Sequence, residues 1–311
     1  MMRLFKDGYC CTGETEMRKQ SIYKSLEGQA RMMALYDDFL NKLDVEYEDC
    51  WVKTRFGVTH VLAFGPEQAL PVVITHGGNS INPQGLRCLL PILQEQCYRI
   101  YAPDTIGMPG KSDQTRLSPK DDSYGQWLAD VLDGLGLENA AFVGGSHGAG
   151  IILRLAAYAP RRITKMALFV PSGIVSVPLH SMLWRIGLPF TLYLLFPNQK
   201  RLRQAVGWMG DEIEEDVLEL VKTVFEQVKV EAEMPRPATK AELLGLHAPT
   251  LIVAAEKDAM FPGYAVIRRS KEIIPNLVAA ECLKGGTHYS SRQDMQTIIQ
   301  RLQDFLSSVD R

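Results

Sequence analysis

The run Ala140-Ala141-Phe142-Val143-Gly144-Gly145-Ser146-His147-Gly148-Ala149-Gly150-Ile151 decides how the rest of the 311-residue chain is read. Its first half is continuously apolar, as expected of a strand buried on both faces of a parallel sheet. It ends in Gly-x-Ser-x-Gly at Gly144, Ser146 and Gly148, and a helix pattern follows at once. A strand that turns directly into a helix at a serine needs a tight, strained backbone. The flanking glycines are required because a Cβ there would strike the neighbouring strand and helix. The turn presents one hydroxyl at a helix N-terminus, where unpaired N–H groups and the helix dipole favour the negative charge that acyl transfer creates. Ser146 is therefore the expected nucleophile. A helix-capping serine on a glycine-rich turn is the competing reading. The strand before and the helix after weigh against it, because they are the context the motif's mechanics require.

Strands alternate with helices on both sides of this element. Upstream, the hairpin Glu46–Thr54 and Thr59–Phe64 turns at Arg55-Phe56-Gly57, and Pro71–Thr75 is a buried strand that ends in His76-Gly77-Gly78. A helix is expected over about Pro83 to Gln96, then a strand at Tyr98–Asp104 and a helix through Trp127, Leu128, Val131, Leu132 and Leu135. Downstream come a strand at Met166–Val170, two more at Pro249–Ala255 and Leu277–Leu283, and helices over about Pro262–Ile274 and Arg292–Leu306. The alternation predicts an α/β fold with a mainly parallel sheet covered on both faces. It is broken between about Ile174 and Gly245 by an insertion whose first half is dense in leucine and aromatic residues. That insertion continues with an acidic amphipathic helix marked by Ile213 to Val228 and ends in a capping-box signature, Thr239-Lys240-Ala241-Glu242, for a short returning helix. Four parts are expected: an N-terminal helical arm at 1–45, core at 46–173, the insertion at 174–245 and core again at 246–311.

Composition narrows the function classes. With 46% hydrophobic and 23% charged residues and a formal charge of −2, the chain can bury a large core and has no basic stripe for nucleic acid. Met1–Thr15 carries charges and no continuous apolar segment, so a secretory signal is not expected and a cytoplasmic location is. The six cysteines, including the vicinal pair Cys10-Cys11, lack metal-ligand spacing and suit reduced thiols. No uncharged run is long enough to span a bilayer. Neither a metal nor an organic cofactor is expected. The expected partners are a small-molecule ester and at most a second copy of the chain in a homodimer, with no nucleic acid and no membrane.

A serine hydroxyl needs a base within hydrogen-bond reach and an acid to orient that base. On this architecture the chain order is Ser, acid, His. Of six histidines, His60 lies in an early strand, His76 in a tight turn and His147 beside the serine, whereas His288 leaves the last strand at the sheet edge where such sites form. Asp258 ends the preceding strand and is the expected acid, with Glu256 as competitor. The oxyanion of acyl transfer requires two donors. The expected pair is the N–H of His147 and that of Gly78, where two glycines permit close backbone approach. Asp104 reads as a buried structural acceptor rather than a catalytic group.

These marks together resemble the α/β-hydrolase superfamily of serine hydrolases over nearly the whole chain from about Cys50. They are His76-Gly77-Gly78, Asp104–Ser112, Gly144–Gly148, Glu256–Asp258 and Gly286–His288. The hairpin Thr54–Val61, the following Gly65-Pro66-Glu67 and the helical arm are similar to bacterial carboxylesterases of the naproxen-esterase type. The resemblance implies an eight-stranded sheet with strand two antiparallel and a helical cap between strands six and seven. It also implies ester hydrolysis through an acyl-enzyme on Ser146, with C–C bond or thioester cleavage on the same groups as alternatives. A non-catalytic small-molecule receptor that kept the pocket is the alternative from another class. The cap is expected to select neutral apolar substrates, with Trp184, Phe190 and Tyr193 contacting them.

Overall fold

The computed structural model describes residues 21–210 and 213–308; Met1–Thr15 and Cys10-Cys11 lie outside them. An eight-stranded sheet forms the centre, in the order β1-β2-β4-β3-β5-β6-β7-β8. The strands are β1 (Glu48–Thr54), β2 (Gly57–Phe64), β3 (Leu70–Thr75), β4 (Tyr98–Pro103), β5 (Ala140–Gly145), β6 (Ile163–Phe169), β7 (Thr250–Ala255) and β8 (Leu277–Leu283). β2 pairs antiparallel with β1 and β4, and the pairs from β4 through β8 are parallel. The chain leaves β3 toward β4 on one side and later returns to β5 on the other. The carboxyl ends of β3 and β5 therefore flank a crevice where the strand order reverses, the place where open α/β sheets hold their sites.

Apolar strands have two apolar faces, and helices cover both. The larger core packs α4 (Ser123–Gly134), α5 (His147–Tyr158) and α9 (Gly263–Ile273) on one face through Trp127, Leu128, Phe142, Ile152, Leu155 and Val266. On the other face lie α1 (Leu26–Asn41), α2 (Asn82–Arg87), α3 (Leu90–Leu93) and α10 (Arg292–Ser307), with Phe39, Leu62, Val143 and Leu302 in the shared core. The helix expected over Pro83–Gln96 is thus two short pieces. Pro91 has no N–H to give the preceding turn and its ring excludes a continuous helix, so the chain restarts at Leu90.

The insertion after β6 begins with a π-helical stretch, Ser181–Gly187, that runs into α6 (Leu188–Leu195); α7 (Gln199–Val206) and α8 (Glu215–Gln227) follow. Pro189 cannot donate to the turn before it, and the wider π turn accommodates its ring. The capping box at 239–242 forms, with the Thr239 N–H donating to Glu242 Oε2 at 2.8 Å and the Glu242 N–H to Thr239 Oγ1 at 3.3 Å. No helix follows it, only turns. Glu242 is engaged elsewhere: it accepts from Arg236 and from Arg154, which is fully buried on α5. Burial by itself would raise the Glu242 carboxyl, but Arg236, both Thr239 donors and Arg154 outweigh it and hold it at about 2.

The arm is fastened through Asp104, at the end of β4. Helix α1 starts at Ser25, whose hydroxyl accepts from the Gly28 N–H, and buries Met32, Tyr36, Phe39 and Leu40 on one stripe. The Tyr36 hydroxyl donates to Asp104 Oδ1 at 3.1 Å, while Asp104 Oδ2 lies 2.9 Å from His60 Nδ1 and accepts from the Lys111 N–H. His60 Nε2 reaches Asp49 at 2.7 Å. Asp104 is the buried structural acceptor that its sequence context suggests. Burial alone would push the His60 imidazole down, but the two carboxylates outweigh it and raise it above its ordinary value. A raised histidine contributes stability that is complete below its unfolded value and is lost as pH rises through the folded one. Tyr36→Phe should cost about 1–2 kcal/mol in urea unfolding. Asp104→Asn should cost roughly 3 kcal/mol, by leaving the buried Tyr36 hydroxyl and His60 imidazole without their carboxylate, and should flatten the alkaline side of the stability profile.

Candidate active site

Ser146 sits between β5 and α5 with φ 50° and ψ −119°, a conformation that a residue bearing a Cβ rarely adopts. Its neighbours make the turn feasible. A Cβ on Gly144 would meet Ile152 and Thr75, and one on Gly148 would meet the carbonyls of Thr75 and His76. The Ser146 N–H donates to the Phe169 carbonyl at 2.9 Å, and its own carbonyl accepts from the Ser172 N–H at 3.2 Å and the Ser172 hydroxyl at 2.9 Å. The end of β6 therefore grips the serine peptide from both sides.

His288 Nε2 lies 3.0 Å from Ser146 Oγ, and His288 Nδ1 lies 2.8 Å from Asp258 Oδ2. The other carboxylate oxygen, Oδ1, accepts from the Met260 and Phe261 N–H groups at 2.7 and 3.1 Å, so the buried Asp258 is held by the loop it belongs to. Glu256, the competing acid, points elsewhere and accepts from the Gly285 N–H and the Tyr264 hydroxyl. The series Asp258, His288, Ser146 can hold the imidazole with its Nδ1–H toward the carboxylate. That leaves Nε2 free to take the serine proton during attack and return it to a leaving group.

The geometry around Gly78 follows from the ring of His76. Its Nε2 accepts from the Thr105 N–H at 3.1 Å, so the proton sits on Nδ1, which donates to the Gly77 carbonyl at 2.8 Å. Burial lowers the pKa of this ring, in keeping with an Nε2 that accepts a hydrogen bond. In a trans peptide the Gly78 N–H points opposite to the Gly77 carbonyl, away from His76. Gly78 itself packs on the elbow, since a Cβ there would lie 3.1 Å from that of His147. His147 opens α5, where a first-turn N–H has no intrahelical acceptor. Asn79, at φ 51°, fixes the far side of this loop: its amide donates to the Glu231 carbonyl at 2.7 Å and its Oδ1 accepts from the Glu231 N–H at 2.8 Å.

A cavity of about 620 Å³ opens beside the triad, walled by His288, Gly77, Gly144 and Gly145 and by Ile74, Val143, Phe169, Leu86 and Leu89. The cap residues expected there are elsewhere. Phe190 and Tyr193 pack on Phe225 with ring centroids 4.6 and 5.9 Å apart, and the Tyr193 hydroxyl donates to Glu226. Trp184 is 69% exposed. A helix that is apolar on all sides does not reveal which side turns inward, and here Ile186, Phe190 and Tyr193 do. A cap residue that does reach His288 is Trp208, whose ring lies 5.3 Å from that of the imidazole. A lone tryptophan after an amphipathic helix is the one signal that could have singled it out. Among the described residues no cluster of His, Cys, Asp and Glu could hold a metal ion, and no helix is long and apolar enough to cross a membrane.

A family model described as the alpha/beta hydrolase fold matches residues 71–206. The chain is 26% identical to carboxylesterase YbfK of Bacillus subtilis over 294 residues, 91% of this chain and 96% of that protein. The crystal structure of YbfK superimposes with a TM-score of 0.78 at 25% identity, covering 92% of this chain and all of that one. The crystal structure of the Bacillus subtilis naproxen esterase does so with a TM-score of 0.77 at 24% identity, covering 91% and 100%.

The side chain of His147 is buried with both ring nitrogens unpartnered, edge-on to Tyr124 at 5.4 Å. Burial first, and then the neighbouring His76, lowers it to about 3, so it is neutral at working pH and offers a substrate no cation. The unfolded chain takes up this proton near the ordinary histidine value of about 6.5. Stability is therefore complete above that pH and falls as pH drops below it. His147→Leu should keep ester turnover within about threefold, because the ring is buried edge-on to Tyr124, and should weaken the acid-side loss of stability in pH-dependent thermal melts.

Proposed function

Because this chain has the alpha/beta hydrolase fold with a strained serine at the turn between β5 and α5, we propose that it is a carboxylesterase acting through an acyl-enzyme on Ser146. The observation that carries the reading is the hydrogen-bonded series from Asp258 through His288 to Ser146. His288 takes the Ser146 proton as Oγ attacks the ester carbonyl. The N–H groups of Gly78 and His147 receive the oxyanion, and His288 then protonates the departing alkoxide. Water activated by the same imidazole releases the acid. Asp258 keeps the imidazole in the required tautomer and balances its transient charge. Likeness in length and sequence to the Bacillus carboxylesterases supports an ester as the bond cleaved.

The cavity beside His288 holds the acyl chain in this reading. Its walls carry aliphatic side chains such as Ile74, Leu86, Leu89 and Val143 together with the charged Arg87, Glu214 and Arg292, so a neutral chain gains from burial against the aliphatic part. Ser146→Ala should lower kcat at least about 10⁴-fold and abolish labelling by a fluorophosphonate; labelling that persisted in the variant would refute the assignment of the nucleophile. In a p-nitrophenyl ester series, each methylene from acetate to hexanoate should contribute about 0.8 kcal/mol, roughly fourfold in kcat/KM, until the cavity is filled. A succinate half-ester preferred over butyrate would show that the acyl chain is read by the cationic part of the cavity, at Arg87 or Arg292, and not by its aliphatic walls.

A further inference from the structure

The outer face of the cap presents a surface that the ester-hydrolase reading does not use. Leu179, Leu183, Trp184, Leu188, Leu195 and Phe196 are each between 44% and 72% exposed. Within the helical run from 181 to 195, Ile186, Phe190 and Tyr193 turn toward the body, and Trp184, Leu188, Leu192 and Leu195 form the opposite, outward stripe. An apolar stripe of this length facing water marks an interaction surface.

Charge identifies what it meets. From Ile174 to Gly210 the chain contains no Asp or Glu, and its formal charges are Arg185, Lys200, Arg201 and Arg203. Arg203 is bound to Glu215 on α8. Arg201 stands at the edge of the apolar face, its guanidinium 4.7 Å from the Phe196 ring centre. Arg185 and Lys200 make no ion pair among the described residues, and both are exposed. Nearby acids on α8 are occupied: Asp216 by Arg87, Glu219 and Glu226 by Arg31. A two-fold contact with a second copy would set this cationic rim against itself, with no acid among the described residues of that face to offset it. An anionic lipid surface supplies the complement. Its phosphates suit the arginines and lysine, and the zone beneath them suits leucine, tryptophan and phenylalanine.

We propose that the outward face of the π-helical stretch and α6 rests on the surface of an anionic bilayer, with Trp184, Leu188, Leu195 and Phe196 among the upper acyl segments and Arg185, Lys200 and Arg201 at the phosphates. The attachment is peripheral and does not depend on what the enzyme cleaves. Vesicle flotation tests it, using phosphatidylcholine alone and phosphatidylcholine with an equal part of phosphatidylglycerol. The full chain should float with the anionic vesicles and about tenfold less with the neutral ones, and high salt should weaken the binding. Leu188→Gln with Leu195→Gln, and separately Arg185→Glu with Lys200→Glu, should each lower the bound fraction about tenfold. Hydrolysis of a soluble p-nitrophenyl ester should be unchanged in both, which separates loss of the surface from loss of the catalytic reading. If the unaltered chain stays below the anionic vesicles, or if both double variants bind as it does, the proposal fails. A dimer in sedimentation velocity that Leu188→Gln with Leu195→Gln dissolves would assign the face to a second copy and would also overturn it.

Discussion

The backbone of Ser146 is held where a serine does not rest by choice, and much of the molecule is arranged to keep it there. Its φ of 50° carries a cost of order 1–3 kcal/mol that the surroundings must offset. The offset comes from β6: the Phe169 carbonyl takes the Ser146 N–H, and Ser172 takes up the Ser146 carbonyl twice. Val170, between them, is itself at φ 39° and is secured by donating to the Val253 carbonyl on β7. Strain at Ser146 is thus spread across three adjacent strands. Gly150 has its place in the same arrangement, because a Cβ there would occupy the position of the Ser172 hydroxyl. The motif Gly-x-Ser-x-Gly-Ala-Gly is in this sense a description of what must fit beneath one peptide.

Much of this was legible in the chain because the governing patterns are local. Strands β3, β5 and β7 announce themselves as short apolar runs ending in glycine or acid, and the order Ser146, Asp258, His288 points to loops that the sheet brings to one edge. Misreadings arose where a local pattern had more than one outcome. Pro91 divides a helix that periodicity alone would continue. The box at Thr239 closes a turn rather than opening a helix, since Glu242 is drawn toward Arg154 and Arg236. In the cap, uniform apolarity concealed direction, so Phe190 and Tyr193 were expected at the substrate although they pack on Phe225. Long-range partners such as Asn79 with Glu231 leave no trace in the spacing of either residue.

The arm shows a different kind of dependence. Tyr36, His60 and Asp104 come from a helix, a strand and a strand end, and are all buried. None of the three is satisfied without the others: the hydroxyl needs a buried acceptor, the carboxylate needs donors and the imidazole needs its carboxylates. A polar group placed so specifically in an apolar layer fixes how helix α1 lies on the sheet, where leucine packing alone would tolerate sliding.

His288, the base in the proposed reaction, is not carried by the core alone. The next residue, Tyr289, donates its N–H to the Met209 carbonyl at 2.6 Å and its hydroxyl to Glu214 at 2.7 Å, both in the cap, and Trp208 lies against the imidazole. Where a change in the cap alters what this site accepts, it also bears on His288, because the cap holds that residue in place. Adaptation to a new substrate is therefore tied to turnover: a cap substitution that reshapes the pocket also displaces the imidazole. Variants that broaden what is accepted would have to pass through slower intermediates, unless the change spares the stretch from Trp208 to Glu214.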